Sequence, residues 1–239
     1  MAEATQTGDD EGTTPAEQWS EPRWPMAVAV FAAILLQVVT PHRGRVSFWW
    51  VFPLLESMLL VIVILRDPGR IDRRTRQARR STIVLISIMT VGTTVSVLLL
   101  TLDILAIHVS FLPTISIPPG TNLATDLLGR GAAVWFTNII VFSLWFWELD
   151  RGGPAERAAG SGVPPSFAFP ENAMPEFAEK GWRPRYPDYL YLAFTNATAF
   201  SPTDTLPVRT WAKMTMLLES VVSLVTAILV VARAINVLP

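Results

Sequence analysis

Along the chain, apolar residues gather into five runs, near 24–39, 48–65, 81–106, 127–146 and 211–237. A helix needs about 20 apolar residues to cross a bilayer, so the pattern predicts five membrane-spanning helices. The first run is short for a span, but it opens on an interfacial Trp24 and carries Pro25 in its first turn, where proline is tolerated. The second contains Pro53 and Glu56. The proline can kink a helix, and an ionisable group in a membrane tends to face the bundle interior. Beside the aromatic pair Trp49 and Trp50, however, Glu56 is expected to reach water. The third run holds Gly92-Thr93-Thr94 in its middle, small residues that permit close helix packing.

The segments between the runs differ sharply. Residues 1–22 are polar and acidic, and are expected to be disordered because they cannot bury enough apolar surface to offset chain entropy. Arg66, Arg70, Arg73, Arg74, Arg76, Arg79 and Arg80 crowd the connection after the second run. Such a loop is retained on the cytoplasmic side, which orients the bundle and puts the N-terminus and residues 148–188 inside. The same cluster could bind anionic lipid headgroups. The fourth run ends in Trp145-Phe146-Trp147-Glu148-Leu149-Asp150-Arg151-Gly152-Gly153-Pro154, an interfacial belt followed by a helix break. Glu148 and Arg151 are three residues apart and would pair on one helix face. With Asp150 they are candidates for a structural clasp holding the following loop. Residues 155–185 read as loop, yet carry Phe167, Phe169, Phe177 and Trp182, too many aromatics for a flexible linker. Parts of the loop are expected to fold back onto the membrane face or a neighbouring subunit. The organisation is thus a tail (1–22), three helices with an arginine loop (23–120), and a second region (121–239).

Composition narrows the class. The 239-residue chain is 51% hydrophobic, and its mean hydropathy of +0.39 is that of an integral membrane protein. A formal net charge of −1 argues against a nucleic-acid partner, which requires a concentrated basic face. The chain has no cysteine, which excludes disulfides and thiol chemistry. Acidic Glu3, Asp9, Asp10 and Glu11 replace the positive region of a secretory signal, so insertion is expected to begin with the first run. No phosphate loop, nucleophile elbow or zinc spacing is present, and the carboxylates lie on separate segments. An enzyme is not expected, nor any metal or cofactor.

The polar turn before the last run carries the chemistry. A helix starting near Tyr186–Tyr189 leads into Phe194-Thr195-Asn196-Ala197-Thr198-Ala199-Phe200-Ser201-Pro202-Thr203-Asp204-Thr205-Leu206-Pro207. Inside lipid, irregular backbone persists only where protein or a water-filled cavity covers it. The stretch is therefore either a surface turn or a re-entrant loop. Tyr191, Phe194, Thr195, Thr198, Asp204 and Pro207 are spaced as in the two-helix pore module of potassium channels, which the stretch resembles. That module runs Tyr-x-x-Phe-Thr-x-x-Thr-Thr-Val-Gly-Tyr-Gly-Asp-x-x-Pro. The filter departs from it, with Ala199-Phe200-Ser201-Pro202-Thr203 in place of Thr-Val-Gly-Tyr-Gly. The chain also resembles a group of uncharacterised bacterial multi-pass membrane proteins that share Trp147–Pro154 and a similar polar turn.

The resemblance implies an all-α, multi-spanning membrane helix bundle with a re-entrant pore-helix-like segment before the last helix. It implies a homo-oligomer in the cell membrane that conducts monovalent cations, or another solute, with weak selectivity. The pore-lining candidates are Thr195, Asn196, Thr198, Ser201, Thr203 and Asp204, with Glu219 and Ser223 on the last helix; Ser223 falls where such channels often place a hinge glycine. The arginine rule puts this loop inside, opposite to potassium channels. Either the module is inverted, as in glutamate-receptor channels, or the count of spans is off by one. The alternative function is a non-conducting scaffold or partner-binding protein that retains the architecture.

Overall fold

The computed structural model describes residues 21–40, 50–66, 70–71, 76–105, 123–199 and 204–237. A two-residue strand, β1 (Glu21–Pro22), leads into α1 (Trp24–Val39), followed by α2 (Val51–Arg66), β2 (Arg70–Ile71) and α3 (Arg76–Ile104). The long α4 (Leu123–Leu149) ends in a 3-10 turn, Asp150–Gly152. Short elements follow: α5 (Pro154–Ala158), β3 (Phe167–Ala168) and α6 (Pro170–Ala173). The chain closes with α7 (Tyr186–Ala199), β4 (Leu206–Pro207) and α8 (Thr210–Val237). The strands form two antiparallel bridges, β1 with β2 and β3 with β4.

Three helical stretches are long and apolar enough to cross a membrane: Arg79–Leu102, Thr125–Gly152 and Thr210–Ile235. The apolar α1 and α2 have 16 residues each. At 1.5 Å per residue each is about 24 Å long, short of a hydrocarbon core about 30 Å thick. Of the five expected spans, three thus have spanning length and two are apolar but short. Pro53 falls in the first turn of α2, where no intrahelical N–H bond is lost, and the helix runs through it unbroken.

Helix α8 shows how the sequence builds the bundle. Its buried positions are Ala212, Met216, Glu219, Ser223, Thr226, Val230 and Ala234, in steps of three and four that make one stripe. Met214, Leu217, Leu218, Val221, Leu224, Val225 and Ile228 face outward, an apolar surface suited to lipid rather than water. In α3 the hydroxyls of Ser87, Thr90, Thr94, Ser96 and Thr101 each bond the carbonyl four residues back, so these side chains carry no open donor into the apolar layer.

Helix α4 is the centre, packed against α1, α3, α7 and α8. Two glycines allow close crossings. A Cβ on Gly131 would lie 2.5 Å from Val230 of α8, and one on Gly92 of α3 would lie 3.2 Å from Phe52 of α2. The packing role read for the Gly92 segment is thus realised by its contact with α2.

One end of the bundle gathers the start of α1, the end of α2, the start of α3 and the end of α4. Arg23 donates to the Val63 carbonyl at 2.9 Å, and Arg79 meets Glu148 at 3.3 Å. This is the end that carries the arginine connection. Residues 155–185 fold back onto it, with Phe167 and Phe169 buried in the core and Trp182 against Phe169, while Phe177 is exposed.

Candidate functional site

Helix α7 starts at the same end. Tyr186 shares a 2.9 Å hydrogen bond with Ser143 near the end of α4, and Phe194 lies edge-on to Trp135, two turns deeper in α4. The helix therefore descends antiparallel to α4. Ten residues after Tyr186, about 15 Å along the axis, the Asn196 amide reaches α8. It donates to the Met216 carbonyl at 2.9 Å and to Glu219 Oε2 at 2.8 Å, and Ser220 donates to the Asn196 carbonyl at 3.3 Å. By Leu206 the chain is back at the starting end, where β4 pairs with β3 and the Val208 amide donates to the Ser166 carbonyl at 2.9 Å. Helix α8 then descends from that level, beside α7 and in the same direction.

Below Asn196 a polar seam continues between α4 and α8. Asn138 donates to Ser223 Oγ at 3.2 Å. Glu219, Ser223 and Thr226 lie on one face of α8 and are all buried. Glu219 Oε1 and Thr226 Oγ1 have no hydrogen-bond partner. A buried carboxylate oxygen without a donor is costly, so the seam needs a proton, a water or a cation.

The candidates from the sequence divide into two groups. Asn196, Glu219 and Ser223 come together inside the bundle, and Asn138 and Thr226, which sequence reasoning missed, complete the seam. Thr195 and Thr198 lie outside it, their hydroxyls bonding carbonyls of their own helix. Asp204 is exposed and accepts from the Tyr191 hydroxyl at 3.4 Å. Ser201 and Thr203 lie outside the described residues, as do residues 1–20. Glu56 differs from expectation. It is buried rather than reaching water, and its Oε2 accepts from Gln37 of α1 at 2.8 Å.

At the capped end a second polar cluster holds the loops. The expected pairing of Glu148 with Arg151 is not made, because α4 stops at Leu149 and Arg151 takes a left-handed φ of 51°. Glu148 pairs instead with Arg79, while Arg151 lies 3.6 Å from its neighbour Asp150 and 3.4 Å from the Asn172 side-chain oxygen. The clasp is made by Asp150 and by residues that spacing did not single out. Asp150 accepts from the Ser166 amide at 2.6 Å and the Tyr189 hydroxyl at 2.7 Å. The Arg157 guanidinium donates to the Trp147 carbonyl at 2.7 Å and the Asp150 carbonyl at 3.0 Å, capping the C-terminus of α4. It also pairs with Glu21 at 3.3 Å and lies over the Tyr189 ring.

Glu21 belongs to the segment expected to be disordered. It is instead buried, and accepts from Trp147 Nε1 at 2.8 Å and the Tyr186 amide at 2.6 Å. Burial pushes its carboxyl above the usual range, opposed by the Arg157 charge and by these donors. The sequence signals for this cluster were Asp150 as a clasp candidate and the density of aromatic residues in the loop.

Among the described residues no group of three or more His, Asp or Glu side chains is placed to hold a metal ion. No family model matches the chain, and no curated protein or solved structure does either.

Proposed function

We propose that this is an integral protein of the cell membrane in which α7, the polar turn and α8 form a re-entrant, channel-like unit passing small cations or another small polar solute with weak selectivity. The observation that carries the reading is the path of the chain. It enters beside the end of α4, reaches the Asn196–Glu219 pair about 15 Å along, and is back beside Ser166 by Val208. A buried carboxyl at the depth of such a unit, continued by Ser223, Asn138 and Thr226, supplies oxygen and amide groups that could replace part of a solute's hydration shell. The exposed Thr198 and Asp204, with Ser201 and Thr203 of the turn, would line the approach if copies of the chain converge on a common axis. A potassium filter is not expected. Its stacked carbonyls require glycine conformations, and here Ser201, Pro202 and Thr203 occupy those places.

A second reading is a non-conducting scaffold. It is favoured by the inward direction of Asn196 and Glu219, which bond within their own protomer.

Purified protein in liposomes, loaded for potassium and for sodium flux, separates the readings. The proposal expects both ions to pass at comparable rates and flux to fall in Glu219→Gln. Flux no greater than in empty liposomes, from folded protein, would establish the scaffold reading instead. A strong preference for potassium would refute the argument from the turn.

A further inference from the structure

A second buried carboxyl lies away from the α4–α8 seam. Glu56 sits five residues into α2, about 8 Å from its start, and faces α1 and α3. It has no exposed surface. Oε2 accepts one hydrogen bond, from Gln37 Nε2 at 2.8 Å, and Oε1 has none. Oε1 faces Gly92, where a Cβ would stand 3.5 Å from it and 3.2 Å from the Phe52 ring. Apolar surroundings and a single amide donor are a poor setting for a negative charge.

Among the described residues no cation compensates that charge. Helix α1 has no ionisable residue between Trp24 and Val39. On α3 the nearest are Arg80, twelve residues from Gly92, and Asp103, eleven residues beyond it, each about 16–18 Å away along the axis. Arg79 is further and held by Glu148, and Arg76 lies beyond it. On α2 itself Arg66 is ten residues away, about 15 Å. The Arg23 guanidinium is engaged at Val63, toward the far end of α2. An isolated carboxylate in such a place costs far more than a neutral carboxyl whose hydroxyl lacks an acceptor. A metal cation would need several oxygen ligands, whereas the site presents the Glu56 carboxyl and one amide. A proton needs a single acceptor.

We propose that Glu56 is a reversible proton-binding site, with the proton on Oε1, exchanging with the solvent at the end of the bundle opposite the arginine connection. Gln37 marks the route. It lies two residues before the end of α1, is partly exposed, and touches the carboxyl. Protonation converts the carboxylate to a neutral acid, the proton coming from water on that side. The inference is independent of the function proposed above.

Infrared difference spectra of the full chain in lipid vesicles, recorded between alkaline and neutral pH, test it. Glu219→Gln serves as the background so that the unpartnered carboxyl of α8 is silent. A protonated carboxylic acid band is expected at neutral pH, disappearing at alkaline pH and returning on acidification. Glu56→Gln should remove one carboxyl's worth of that band. Gln37→Leu keeps the acid but removes the only hydrogen bond to Oε2, so the carbonyl band should move to the higher frequency of a free acid. A folded Glu56→Gln with an unchanged band overturns the proposal. Should that variant not fold, an unmoved band in Gln37→Leu overturns it equally. Loss of the band on adding sodium or potassium at constant pH would assign the site to a metal cation and refute the proton.

Discussion

The crossing of α4 and α8 offers a direct test of the packing. Replacing Gly131 by Ala places a methyl 2.5 and 2.6 Å from the two Val230 methyls and 3.1 Å from its Cβ. Carbon atoms pack at about 3.5–4.0 Å, so the overlap is roughly 1 Å with two atoms at once. Valine cannot turn away at little cost, because its branched Cβ holds a single χ1 rotamer in a helix. Relief must come from displacing α8, which also carries Ser223 and Glu219. Overpacking of this kind costs about 1–3 kcal/mol. Val230→Ala alone should cost about 1 kcal/mol, a typical single-site loss. Combining the two removes both methyl overlaps and leaves only the 3.1 Å approach of the Cβ atoms, so the double variant should be more stable than Gly131→Ala and should show a coupling of about 1–2 kcal/mol. Thermal unfolding of the three variants and the parent in one detergent measures the cycle. A Gly131→Ala protein within about 0.5 kcal/mol of the parent, or strict additivity, would refute the close crossing.

Three further outcomes are expected. Arg157→Ala leaves the Glu21 carboxylate buried without its cation and frees two carbonyls at the end of α4, and should cost about 3–5 kcal/mol in denaturant titrations; a loss below about 1 kcal/mol would mean water replaces the guanidinium. Arg151→Gly should match or exceed the parent in unfolding midpoint, since the left-handed φ suits glycine, whereas Arg151→Ala should lose about 1 kcal/mol or less; a larger loss from Arg151→Gly would show that its side chain carries the clasp. Cysteine introduced at Ser81 should resist a membrane-impermeant reagent in intact cells, and one at Thr121 should react; labelling at Ser81 from outside would overturn the orientation.

What the sequence disclosed follows from the range of the interactions. The long apolar runs are local patterns that could be placed before any partner was known, whereas on α8 only Glu219 and Ser223 were singled out, through the resemblance to a pore module, and Met216 and Thr226 on the same face were not. Glu56 was misread because nearby Trp49 and Trp50 suggested an interface, while its actual partner, Gln37, belongs to another helix. Glu148 and Arg151 have the spacing of a helical pair, but that rule lapses once Arg151 leaves the helix ahead of Gly152 and Gly153. The Asp150–Tyr189 bond spans 39 residues and the Asn138–Ser223 bond 85, distances at which no spacing rule applies.

The buried Glu21 has a consequence for biosynthesis. Its three partners lie 126, 136 and 165 residues later in the chain. When α1 leaves the ribosome none of them exists, and the carboxylate must remain hydrated at the membrane surface while the following helices are made. The anchor at the start of α1 can form only after α4, the turn beyond it and Tyr186 have all emerged. Closing loops this long opposes the step entropically. The capped end should therefore be the last part of the protein to mature, and a nascent chain arrested before Arg157 would have every residue of α1 but neither the guanidinium nor the Tyr186 amide that hold Glu21.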